Sequence, residues 1–375
     1  MEVALLCSGV GRAERGYEAF AEGMFDTLRH DLDIAFFTGS GEQNERRIPI
    51  GGLERDQWVT KLLGRVWNDR FVWEQLSFAV LAWPRIVRGS YDLVHYSEPA
   101  LNNVFMRLER LSKESPRRLF THGLRMKPEH CVRCHHLHQV SRLTYDEALS
   151  FGVPPDRMSL LELGVDDARF FPVDPMHQLE LRARFGVPKA ARVVLCVAAI
   201  NRSSKRVDRL VEAMELLDER HHLVLCGTVE DRSIFREACR KLTGRLTHLN
   251  VPPGEMNDVY GLADLLVVPS LLEGFGLVVI EGLLAGVPVL LHDASHFRWL
   301  VGPNWDLFTD MADTAGLAGA IRDTGAQAEA LRRRALALRP EVVRRFSWGC
   351  LKEAYVSMYA KAAASPRTAI EQSLR

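Results

Sequence analysis

PSLLEGFGLVVIEGLLAGVPVL, residues 269–290, is apolar almost throughout, yet it carries two carboxylates, Glu273 and Glu281, eight positions apart. The preceding LADLLVVPS reads as a buried strand. LLEGFG reads as a turn in which Gly274 and Gly276 let backbone approach a ligand closely. LVVIEGLLAG then reads as a helix closed by Gly286, and VPVLL as the next strand. Such a strand–turn–helix–strand unit belongs to a parallel α/β sheet. Glu281 lies one turn after Leu277, so it looks back toward the helix start that Glu273 precedes. The two carboxylates can therefore face one ligand at two points. Glycoside hydrolysis draws its acid/base pair from separate strands around a cleft, so it is the weaker use of this spacing. Two solvated side chains at element ends are the plain alternative.

The same alternation runs along the whole chain. Strand candidates in the first half are EVALLC, LDIAFFT, DLVHYS, RRLFTHG and HLHQVS; in the second they are RVVLCVAAI, HHLVLCGT, LTHLNV, LLVVPS and PVLLHD. Helical periodicity separates them, which predicts two doubly wound units. The chain has 375 residues, beyond the size at which one core stops growing. Gly, Pro and paired Asp interrupt the pattern at 163–175. The expected division is 1–165, 166–345 and a last helix within 346–375 that returns to the first unit.

Lys+Arg and Asp+Glu both number 48, so no global field recruits nucleic acid or an anionic membrane. Seven scattered cysteines fit reduced thiols and a cytoplasmic setting better than a disulfide framework. MEVALLCSGVG has no basic leader and reads as a first strand. The apolar run LSFAVLAW is cut by Pro84 and Arg85, short of a membrane span, though peripheral membrane contact stays open. Four of the seven tryptophans, Trp58, Trp67, Trp73 and Trp83, fall in one stretch that reads as a helical hairpin on the first sheet, or else as an aromatic acceptor wall.

Two turns look built for anions. In SGVGRAERGYEAF, Gly9 and Gly11 follow a strand and precede a helix, with Arg12 and Gly16 beside them. Glu14 stands where a dinucleotide fingerprint needs its third glycine, which disfavours a nicotinamide or flavin enzyme. In AAINRSSKRVDRLVEAM, Arg202 and Lys205 sit at a helix N-terminus, where cations oppose the macrodipole unless an anion joins them. A diphosphate fits that arrangement; a solvated basic turn is the alternative. CVRCHHLH, residues 131–138, packs ligand-type residues densely, but His136 and His138 share a strand face away from His135, so no metal site is assigned.

Taken in order, these pieces resemble retaining glycosyltransferases of the two-Rossmann GT-B fold, specifically glycosyltransferase family 4. EGFGLVVIE resembles the family's E-x7-E signature. The glycine loop, THG around His122, HQVS with LGVDDARFFP, the Arg202/Lys205 turn, LVLCGTVED, VYGLADLLVVPS and the final FSW follow in sequence. The resemblance implies two Rossmann-like domains facing across a cleft and metal-independent transfer, with no resident cofactor. The donor is implied to be a UDP- or GDP-linked sugar and the acceptor a hydroxyl. It implies catalytic roles for Glu273 and His122. Arg202, Lys205, Gly274, Phe275, Gly276 and Leu277 would bind the diphosphate, and Glu281 the ribose. Gly227, Thr228, Val251 and Met256 would meet the base, and Gly9, Gly11, Arg12 and Gly16 the acceptor or its phosphate. A non-catalytic nucleotide-sugar binder and a phosphorylase or sugar-phosphate synthase are the rival readings on this fold. The loop HDASHFRWLVG departs from the family's usual glycine pair, which bears on the choice of sugar.

Overall fold

A computed structural model describes residues 1–12, 16–54, 57–66, 70–112, 115–123 and 126–374. Glu14 and Trp67 lie outside the described residues. The chain divides into two compact units, Met1–Gly164 with Trp348–Arg375, and Val165–Ser347.

In the first unit, strands β1 (Glu2–Cys7), β2 (Asp33–Thr38), β3 (Arg47–Pro49), β4 (Leu93–Tyr96), β5 (Arg117–His122), β6 (His136–Gln139) and β7 (Met158–Leu160) form one parallel sheet in the order β3-β2-β1-β4-β5-β6-β7. Because β1 separates β2 from β4, the order reverses beside it and leaves a crevice at the carboxyl ends of the strands. Central strands are buried on both faces because helices cover both, and β4 to β6 carry buried polar side chains among the apolar ones. The helices Trp58–Val66 and Arg70–Arg88 form the expected hairpin, and Trp83 is buried in a stack on Phe105 at 5.3 Å. Trp58 is 75% exposed whereas Trp83 is buried, so these two do not line one wall. Pro84 does not end the apolar helix; Val80, whose carbonyl it leaves without a helical partner, is exposed and water can serve it. No helix among the described residues is long and apolar enough to cross a membrane.

The helix Trp348–Ala363 packs on this first unit through Trp348, Leu351, Tyr355, Met358, Tyr359 and Ala362, a stripe of helical period. Trp348 stacks on Phe20 at 5.7 Å, and Gly164 lies so close that a Cβ there would meet the indole at 2.3 Å. The Tyr355 hydroxyl donates to the Glu162 carbonyl at 2.8 Å, and that of Tyr359 lies 2.7 Å from His95 Nδ1.

The second unit repeats the plan with β8 (Arg192–Val197), β9 (His221–Cys226), β10 (Leu246–Leu249), β11 (Leu265–Val267), β12 (Val289–His292) and β13 (Phe308–Thr309) in the order β10-β9-β8-β11-β12-β13, all parallel. Its switch point falls between β8 and β11.

The first unit buries a histidine cluster in neutral form. Burial depresses His138 to about 4 and His136 to about 3, and lowers His95 and His135 as well. The unfolded chain protonates these rings near 6.5, so each contributes stability that is present above that pH and lost as pH falls toward the folded values. Glu98 works oppositely: burial lifts it to about 7, so its contribution is lost as pH rises from about 4.5. Four histidines outweigh one carboxyl, at about 1.4 kcal/mol per pH unit for each proton. Urea unfolding followed at pH 7.0 and 5.5 should show the first unit losing several kcal/mol on acidification, and His138→Gln should reduce that loss. Equal stability at both pH values would contradict the buried cluster.

Candidate active site

The functional side chains of the second unit meet where β8 and β11 lie side by side. Beyond β8, Asn201 Oδ1 accepts from the amides of Ser204 at 3.1 Å and Lys205 at 2.9 Å, and its Nδ2 donates to Glu230 Oε2 at 2.9 Å. This side-chain-closed turn ends on Arg206, whose φ of 50° puts a non-glycine residue in the left-handed region before the helix Val207–Glu215. Strain of that kind persists only where surrounding structure fixes it. It delivers Lys205 across the switch point, where Nζ donates to both carboxylate oxygens of Glu273 at 2.8 Å. The pair is largely sheltered, with side chains 30% and 14% exposed.

Beyond β11, the turn that carries Glu273 ends on Gly276. Its φ of 105° favours glycine, and a Cβ there would lie 2.9 Å from Leu300. Gly276 caps the helix Leu277–Leu284 without a side-chain hydrogen bond, so the first-turn amides keep their positive end for a ligand. Phe275 points inward, against Phe346 and Trp299, and its carbonyl is bound by His296 Nε2 at 3.0 Å. Gly274 is not in the left-handed region, so the conformational demand falls on Gly276 of the two. One turn into the helix, Glu281 accepts from the Tyr260 hydroxyl at 2.6 Å. Burial raises the Glu281 carboxyl above its usual range, opposed by the Tyr260 bond and the charge of Arg169.

Lys205, Glu273, Gly276, Leu277 and Glu281 are therefore brought onto one edge of one sheet. Arg202 is 59% exposed and lies about 4 Å from Asp208 and Glu237, the outer limit of ion pairing. It borders an open depression of about 650 Å³ that Asn201, Ser203, Glu230 and Arg232 also line. Gly227 has a φ of 140° and sits so close to β8 that a Cβ would meet the Ala198 carbonyl oxygen at 2.3 Å; Thr228 beside it is exposed. Val251 and Met256 lie half-buried on the next loop and at the start of the helix Met256–Gly261. Sequence reasoning missed Asn201, Tyr260 and His296. An asparagine three and four residues before two loop amides was a legible turn signal for the first. The other two act over twenty positions of sequence and left none.

In the first unit, Gly9 and Gly11 do form the turn after β1, with Gly11 at φ 80°, and Gly16 starts the helix Gly16–Leu28. Glu18 fills the space over Gly9, and Arg12 is folded inward onto Glu74 at 3.7 Å and the carbonyl of Leu53 at 3.1 Å. Its charge is matched within the unit rather than offered to a phosphate. His122 is buried at 1% exposure with Nδ1 2.9 Å from Gln139 Oε1. In the 131–138 stretch, His136 is held by Ser365 and Ser159, and His138 by Thr121 and the Leu161 carbonyl. Burial pushes the Cys134 thiol up to about 12. Among the described residues, no group of three or more His, Cys, Asp or Glu is placed to hold a metal ion.

Residues 191–327 match the family model of glycosyl transferases group 1. The chain is 31% identical over 243 residues to a D-inositol 3-phosphate glycosyltransferase of Acidothermus cellulolyticus, covering 60% of this chain and 52% of that protein. It is 31% identical over 163 residues to a putative teichuronic acid biosynthesis glycosyltransferase of Bacillus subtilis, covering 44% and 40%. The chain thus spans about half the length of the curated relatives it matches. Among solved structures it is similar to sucrose-phosphate synthase from Thermosynechococcus elongatus, with a TM-score of 0.78, 20% identity, and 97% and 100% of the two chains covered. Anabaena HepE, solved with UDP and glucose and with UDP-glucose, aligns at 0.75 and 15% identity over 96% and 99%. The fold is GT-B, and the matched residues 191–327 lie within the second unit.

Gly276→Ala is expected to destabilise the second unit by about 1–3 kcal/mol, through strain at positive φ and the clash with Leu300. Chemical unfolding measures it; an unchanged midpoint would contradict the turn geometry.

Proposed function

We propose that this protein is a retaining glycosyltransferase that moves a sugar from a UDP- or GDP-linked donor to an acceptor hydroxyl without a metal ion. The observation that carries the reading is the Lys205–Glu273 pair at the switch point of the second unit, beside a helix start without a side-chain cap that lies one turn before Glu281. Ligands of open α/β sheets bind at this place. The group 1 match and the UDP-glucose bound by HepE support the choice of a nucleotide-linked donor.

The chemistry follows from the charges. Breaking the bond from the anomeric carbon to the diphosphate leaves negative charge on the nucleotide, and that charge must be stabilised as it develops. Lys205 and the amides of Leu277 and its neighbours stand on rigid elements and cost little reorganisation. Arg202, exposed on the same turn, adds a second cation once the donor is bound. The Glu273 carboxylate, released from Lys205 by the diphosphate, turns to the transferred sugar and stabilises the electron-poor anomeric centre. The acceptor oxygen attacks on the face that the leaving group vacates and gives its proton to the departing diphosphate oxygen, which retains configuration. Glu281 receives the ribose hydroxyls, and the loops at Gly227–Thr228 and Val251–Met256 meet the base. His122 lies in the first unit, buried with Gln139.

The decisive experiment pairs a nucleotide-sugar panel with Glu273→Gln. Selective donors should raise the melting temperature, since a hundredfold excess over the dissociation constant stabilises by about 2.7 kcal/mol. Glu273→Gln should keep donor affinity within about threefold and lower turnover by two or more orders of magnitude, as expected of a transition-state contact. Near-normal turnover would remove Glu273 from the mechanism. Activity should also survive saturating EDTA; loss on chelation with recovery on adding manganese or magnesium would show that the cationic turn is not sufficient.

A further inference from the structure

Glu281 is a half-buried carboxylate whose burial raises its pKa, and an ionised carboxylate accepts hydroxyl donors more strongly than a protonated one. Something must keep it ionised and aimed. Tyr260 is wholly buried in the helix Met256–Gly261, and its hydroxyl donates to Glu281 Oε2 at 2.6 Å. Its ring is pinned edge-on against Phe170 at 5.8 Å, so the hydroxyl has little freedom to turn elsewhere. Phe170 is fixed in turn, because the next amide, that of Phe171, donates to Asn257 Oδ1 at 2.9 Å. The remaining charged and titratable groups facing this carboxylate are Arg169 and the buried thiol of Cys226. Arg169 is exposed and is tethered to the Pro253 carbonyl at 2.6 Å.

We infer that Tyr260 is the positioning residue for Glu281: it holds one carboxylate oxygen and leaves the other to receive both hydroxyls of the nucleoside ribose. This rests on the nucleotide-sugar reading above. A carboxylate oxygen has two lone-pair directions, enough for a cis-diol, and a fixed Oε2 stops the group from turning its accepting edge away. A neutral buried donor also avoids placing a second cation in the nucleoside subsite, where a base must stack or hydrogen-bond rather than neutralise charge. Tyr260 thereby acts on selectivity for ribose, not on affinity for the diphosphate.

Calorimetry with UDP and GDP, and with their 2′,3′-dideoxy counterparts, tests this on the full chain at pH 6 and pH 8. The wild type should prefer the ribonucleotide at least tenfold. Tyr260→Phe should leave dideoxynucleotide affinity unchanged and shrink the preference to about threefold, with the larger loss at the lower pH because the bond that holds the carboxyl down is gone. Glu281→Gln, close in size, should lose the preference at both pH values. If Tyr260→Phe weakens both nucleotide forms equally, the tyrosine is merely structural and the inference fails; a preference unchanged from wild type overturns it as well. Should Tyr260→Phe not fold, a preference retained in Glu281→Gln still overturns it. A wild type that binds ribonucleotides without preference refutes only the ribose role. A wild type that binds neither UDP nor GDP refutes the nucleotide-sugar reading itself.

Discussion

The contact on which the rest of the second unit depends is the ion pair of Lys205 with Glu273. A partly exposed pair of this kind contributes only about 1 kcal/mol, too little to explain a strained turn, a left-handed glycine and two loops meeting at the switch point. Its value lies in being exchangeable. A diphosphate offers Lys205 more negative charge than a single carboxylate does, and it frees Glu273 in the same step. On the function proposed above, one interaction stores both the phosphate-binding cation and the sugar-facing acid in readiness.

Exchange of this kind works only if neither partner can relax away. Asn201 closes the lysine turn with its side chain, and Arg206 accepts a left-handed backbone to do so. On the other side, Gly276 admits a conformation that Leu300 would deny any larger residue, and His296 holds the Phe275 carbonyl. These supports cost local strain that the apolar core beneath β8 and β11 offsets, since Leu195, Val267 and Val279 are fully buried there. The first unit shows the same economy with different chemistry. Its C-terminal helix is tied down by Trp348 against Gly164 and by Tyr359 beside His95, so the last stretch of chain belongs to the first core.

Much of this was legible from residue pattern. All ten long apolar runs became strands, because central strands of a parallel sheet are buried on both faces and so announce themselves. The short strands β3, β7 and β13, at sheet edges, gave no such signal: two or three residues carry no periodicity and need cover on fewer sides. Pro84 was read as cutting an apolar run short of a membrane span, and although the helix runs through it, none of the described helices is long and apolar enough to span. At the site, the spacing of Glu273 and Glu281 implied a shared ligand edge; the structure puts Glu273 in the turn before the helix Leu277–Leu284 and Glu281 one turn into it. What spacing could not convey was which partners they hold. Lys205 reaches Glu273 over 68 positions of chain and Tyr260 reaches Glu281 over 21, and only the sheet order joins them. Arg12 illustrates the converse: its place in a glycine turn suggested a phosphate, but Glu74 from a distant helix takes its charge.

The central claim is that Lys205 exchanges Glu273 for the diphosphate of a bound nucleotide. Calorimetric titration of wild type and Lys205→Ala with a nucleoside diphosphate and the matching monophosphate tests it most directly. The account predicts that the wild type binds the diphosphate at least tenfold more tightly, and that Lys205→Ala erases the difference while leaving monophosphate affinity nearly unchanged. A Lys205→Ala protein that still distinguishes diphosphate from monophosphate as the wild type does would contradict it.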